Sequence, residues 1–103
     1  MEKGSIVVVN LQNPREKVIG ILLNISEAGI TVRGIDVHSF NDLANNHSKS
    51  KDEERDFSIK ATTVFFPMHR VVSCYLDEDS GPVPSFSTQF KNKTSKSLED
   101  VFK

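Results

Sequence analysis

The chain has 103 residues, 37% of them hydrophobic, with seven Phe, one Cys and no Trp, and thirteen Lys and Arg against fourteen Asp and Glu leave a net charge of −1. This length holds a single domain with one core, the near-neutral balance excludes a general field that would draw in nucleic acid or an anionic membrane, and a lone cysteine excludes an internal disulfide. No apolar run approaches the about 18 residues of a membrane span, and no signal peptide precedes the first apolar segment, so a β-rich cytoplasmic protein without membrane association is expected.

Ser5 to Leu11 reads as the first strand, closed by Gln12-Asn13-Pro14-Arg15, where Pro fixes φ and lacks an amide donor. Strand two runs from Glu16 to Asn24. Its segment Val18 to Leu23 is apolar throughout, which suits burial on both faces, and Gly20 within it permits a sharp bend or the close approach of another backbone. Ser26-Glu27-Ala28-Gly29 forms the turn, with Gly29 assigned a positive φ, and strand three follows from Ile30 to Asp36.

Ser39-Phe40-Asn41-Asp42 has the spacing of a capping box and starts a short helix. The polar stretch that follows, residues 45 to 57, lacks the apolar surface needed to offset its ordering entropy and reads as a mobile loop. Ser58 to Phe66 is strand four, Pro67-Met68-His69 a tight break, and Arg70 to Leu76 strand five. Beyond the strands, 5–76, lies a C-terminal extension, 77–103, rich in turn residues. Ser85 to Phe90 forms a helical turn within it, and Ser97-Leu98-Glu99-Asp100 opens a last short segment. The lysines of the extension read as solvated charge.

Five short strands with a bending glycine in the second resemble the Sm-like small β-barrel over residues 5–76, in a divergent form. Gly20 and Leu22 match the Gly-x-Leu of that family's strand two, and Val32 matches the apolar close of its first motif. The resemblance implies a strongly bent five-stranded antiparallel barrel, carrying here short C-terminal helical segments. It also implies a homo-oligomer, a ring in which strand four of one subunit pairs with strand five of the next. Where the family holds a uracil with an acid and an asparagine, this chain has Ser26 and Ile30, and its only Arg-Gly pair, Arg33-Gly34, ends strand three instead of joining strands four and five. Weak RNA binding at most, without uracil recognition, is therefore expected. The stretch from Thr63 to Val71 also resembles a small bacterial family of uncharacterised proteins, which brings no function with it.

A second resemblance is to PilZ domains, barrels that bind cyclic di-GMP. Asn24-Ile25-Ser26-Glu27-Ala28-Gly29 fits their Asn/Asp-x-Ser-x-x-Gly motif and implies a nucleotide turn at Asn24, Ser26 and Gly29. Arg15 alone precedes the motif, where the family uses a pair of arginines to grip phosphates and guanine edges.

Chemistry-bearing residues are sparse. His38, His47 and His69 are too scattered for a metal cluster, and Cys74 has no ligand-spaced partner, so no metal or cofactor is expected. Cys74, on an apolar strand, reads as structural. No triad or phosphate-binding glycine loop occurs, and the expected class is a non-enzymatic binding or scaffold module. Arg33, His69 and Arg70, placed at strand ends, are the candidate ligand or nucleic-acid contacts. Phe65 and Phe66 read as core and subunit contact.

Overall fold

The computed structural model describes residues 1–48 and 59–103. Five strands, β1 (Ile6–Leu11), β2 (Glu16–Ile25), β3 (Gly29–Asp36), β4 (Thr62–Pro67) and β5 (Val71–Leu76), form one antiparallel sheet of order β4-β3-β2-β1-β5. The pleat divides the apolar residues between two faces. Val7, Val9 and Leu11 of β1, Leu22 of β2, Ile30 and Val32 of β3 and Phe66 of β4 make one core, against which Val71 and Cys74 of β5 pack. Val8, Ile19, Ile21 and Ile35 point the other way into a second core. The apolar centre of β2 is thus buried on both faces, as its unbroken hydrophobic run requires.

The first core joins side chains from both ends of the strand order, which a flat sheet cannot do. A flat five-stranded sheet would hold its edge strands about 19 Å apart at ~4.8 Å per strand. Only a 3-10 turn, Met68–Arg70, leads from β4 to β5, and at ~2.0 Å per residue it covers about 6 Å. The sheet therefore rolls until its edges approach. Gly20 and Gly34, paired across β2 and β3, permit the roll. A Cβ on Gly20 would lie 2.5 Å from the Arg33 carbonyl oxygen, and one on Gly34 would overlap the Ile19 carbonyl oxygen and the Gly20 Cα. The roll stops short of closure by hydrogen bonding, since among the described residues no ladder joins β4 to β5.

The second face is covered by three helices: α1 (Phe40–Ser48), α2 (Phe86–Thr94) and α3 (Leu98–Phe102). Phe40, Leu43 and Ala44 of α1, Phe90 of α2 and Leu98 and Phe102 of α3 are buried against the outward-pointing strand residues. Phe40 meets Phe86 edge-on with ring centroids 4.9 Å apart. The start of α2 is held by carboxylates. Asp77 accepts from the amides of Phe86 (2.8 Å) and Ser87 (2.9 Å), and Ser85 caps by accepting from the Thr88 amide at 3.0 Å.

Several sequence expectations change here. Asn45 to Ser48, expected in a mobile loop, are the last turn of α1, and residues 49–57 of that loop lie outside the described residues. The polar composition is outweighed by packing, for Asn46 is buried and the His47 ring meets Phe90 at 5.8 Å. The chain enters α1 through a 3-10 turn, Val37–Ser39, whose cap is Asp36, accepting from the His38 amide at 2.8 Å. Strand four begins at Thr62, not Ser58, and Arg70 belongs to the 3-10 turn, not to strand five. Gly29 opens β3 without positive φ; its lack of a side chain is needed because a Cβ would overlap the Phe66 carbonyl oxygen and the Phe65 ring. The helical turn at Ser85 extends to Thr94, and the C-terminal extension contributes fully buried Phe90 and Phe102 to the core.

Candidate functional site

Three connections meet at one end of the rolled sheet. The Met68 amide donates to Ala28 O at 2.9 Å, joining the β4–β5 link to the turn after β2, and the Gln12 amide donates to Arg70 O at 2.8 Å, joining the same link to the β1–β2 turn. Residues far apart along β2 are brought to one surface because the strand bends. Gln12-Asn13-Pro14-Arg15 turns as its composition requires, with Asn13 at φ 54°.

Arg70 is the fastener of this surface. Its Nε donates to Gln12 O (3.1 Å), its Nη2 to Pro14 O (3.0 Å), and the same nitrogen lies 3.5 Å from Glu16 Oε2. The guanidinium stands 5.7 Å from the centroid of the Phe66 ring, a cation–π geometry. Gln12 returns a bond, Nε2 to His69 O at 3.0 Å. The planar fork of an arginine can bridge two carbonyls and a carboxylate at once, so most of the donor capacity of Arg70 is occupied within the protein. The His69 side chain beside it is exposed.

Arg33 is not a strand-end residue. It sits inside β3, opposite Thr63 of β4, and its Nη1 donates to Thr63 Oγ1 at 3.3 Å. Arg33 and Arg70 are held by different partners on different elements. In the turn after β2, Ser26 Oγ accepts from the Ala28 amide at 3.2 Å and the Ser26 amide donates to Gly29 O at 3.0 Å, which shapes the turn. Asn24 is exposed near the end of β2, beside an irregularity in the register. Arg15 lines a separate cleft of which Asn24, Ser26 and Gly29 form no part.

The remaining titratable groups carry little chemistry. Burial pushes the Cys74 thiol above its ordinary pKa, as its apolar strand implied, and its Sγ lies 3.5 Å from Met1 Sδ. Among the described residues no group of three or more His, Cys, Asp or Glu could hold a metal ion. Among the described residues no helix is long and apolar enough to cross a membrane.

The strand edges expected to pair between copies carry exposed apolar side chains. Phe66 is buried and Phe65 beside it is 52% exposed, with Val64 also exposed on β4 and Val72, Tyr75 and Leu76 exposed on β5. The signal was present in the near-continuous apolar runs of both strands, which exceed what one core face can bury. No family model, curated protein or solved structure matches this chain.

Proposed function

We propose that the chain is a non-enzymatic, divergent Sm-like barrel that works as a homo-oligomeric binding or scaffold module. The observation that carries this reading is the two edge strands, β4 and β5, whose outer sides pair with no strand among the described residues and which are each rich in exposed apolar side chains. Unpaired strands present rows of free amides and carbonyls, and apolar edges of this kind are templates for another chain. A β4 edge of one copy and a β5 edge of the next form a head-to-tail contact, which generates a closed ring when the rotation closes. The rolled sheet, the glycine pair at its bend and the meeting of the turn after β2 with the β4–β5 link support the barrel assignment. The first two follow from Gly20 and Gly34, the third from the Met68 to Ala28 bond.

Binding of RNA by this module is weak and indifferent to sequence. The turn at Ser26 and the Arg70 fork, which lie where Sm-like proteins read a base, bond within the protein. Light scattering at micromolar protein tests the assembly: a mass several times 11.5 kDa is expected, and Phe65→Lys or Tyr75→Lys should reduce it towards one chain. A monomer mass for the unmodified protein would sink the proposal.

A further inference from the structure

Where the helices leave the outer face uncovered, beside the β1–β2 turn, the fold forms a cleft of about 480 Å³. Arg15 and Lys17 line it together with His38 of the 3-10 turn before α1, and Val37 and Val72 give it apolar surface. Among the described residues its one carboxylate is Glu16, which stands 3.5 Å from Arg70 Nη2 and is paired with that guanidinium. Neither Arg15 nor Lys17 has a side-chain hydrogen bond or ion pair among the described residues, whereas Arg70 next to them has three acceptors. Two cations unengaged among the described residues, a ring donor and apolar surface in one cleft form a complement to an anion attached to an apolar group.

We infer that this cleft binds a small phosphorylated ligand, its phosphate on Arg15 and Lys17 and its apolar or planar remainder against Val37 and Val72. Arginine and lysine both suit phosphate, the first as a fork and the second as a point charge, and the volume falls within the ~300–1,000 Å³ of small-molecule sites. The net charge of −1 is no obstacle, because at the cleft Arg15 and Lys17 outnumber Glu16, the one lining carboxylate among the described residues. The phosphate contact is independent of assembly through the sheet edges, since neither Arg15 nor Lys17 lies on β4 or β5, whereas the apolar contact at Val72 shares the β5 edge.

The test is an NMR titration of the full chain with adenosine 5′-monophosphate, with adenosine and inorganic phosphate as separate arms. Saturable shifts centred on Arg15, Lys17, Val37, His38 and Val72 are expected, with each fragment binding at least tenfold more weakly than the monophosphate. Arg15→Gln with Lys17→Gln should weaken the monophosphate at least tenfold, equivalent to about 1.4 kcal/mol, while light scattering shows an unchanged mass. Should that variant lose its dispersed spectrum, raising salt on the unmodified protein replaces it, and affinity should fall steeply as the phosphate contact is screened. Adenosine or phosphate binding as well as the whole nucleotide, shifts that scatter over the surface, or no saturation at about 5 mM, well beyond the ~1 mM of a 4 kcal/mol site, would overturn the inference.

Discussion

Replacing Arg70 with alanine separates a structural fastener from a ligand contact. The substitution removes two donors from the carbonyls of Gln12 and Pro14, an ion pair of 3.5 Å with Glu16 and a ring contact with Phe66. Each carbonyl bond is worth about 1 kcal/mol net. The ion pair adds no more than about 0.5 kcal/mol because Glu16 is 38% exposed and water screens it. The cation–π contact adds about 0.5 kcal/mol at a partly exposed site. The expected loss is therefore about 2–3 kcal/mol, which in a domain of this size lowers the melting temperature by about 10–20 °C. Urea unfolding followed by circular dichroism reads it as a lower midpoint at unchanged slope. Arg70→Lys should lose most of the same stability despite keeping the charge, because an ammonium cannot span both carbonyls and the carboxylate. A loss below about 0.5 kcal/mol, the range of ordinary surface substitutions, would refute the clamp and return Arg70 to the candidate ligand contacts.

Gly34→Ala should cost at least about 2 kcal/mol or prevent folding, because its methyl would overlap backbone atoms of Ile19 and Gly20 that cannot move aside; a melting temperature equal to the parent's would contradict the bend. Phe102→Ala should cost about 3–5 kcal/mol, as for any fully buried aromatic, and a near-neutral effect in the same unfolding assay would show that the C-terminal helix is not core. Hydrogen bonds from the Ser85 amide and then the Thr88 hydroxyl hold the Asp79 carboxyl below its ordinary pKa. The stability it contributes is therefore complete above the unfolded value of about 4 and is lost as pH falls through the lower folded value. A carboxyl titration by NMR with a midpoint at or above that of an unfolded aspartate would exclude this anchor. Oligouridine and oligoadenosine should bind equally weakly and lose affinity together as salt rises; submicromolar, salt-resistant preference for oligouridine in an anisotropy assay would contradict it.

Local signals in the sequence determined the strands, their approximate limits and the turns between them. Val18 to Leu23 suits a strand buried on two faces and Asn13-Pro14 a turn, because periodicity and backbone sterics act within a few residues, although Leu23 at the end of that run is 39% exposed. The bend at Gly20 was legible for the same reason, but its partner Gly34 was not, since their opposition is a matter of register between strands. Tertiary packing decided the rest. It kept the polar residues Asn45 to Ser48 helical by setting α1 against Phe90, drew the C-terminal extension into the core, and moved Arg33 and Arg70 from apparent strand-end charges to separate internal partners. Whether a charged side chain meets a carbonyl, a carboxylate or open solvent depends on chain segments more than fifty residues away, as with Arg70 and Gln12. Such distances are set by the roll of the sheet and carry no local pattern. The cleft at Arg15 and Lys17 belongs to the same class, for Val37 and Val72 reach it from elements that only the folded sheet places beside the β1–β2 turn.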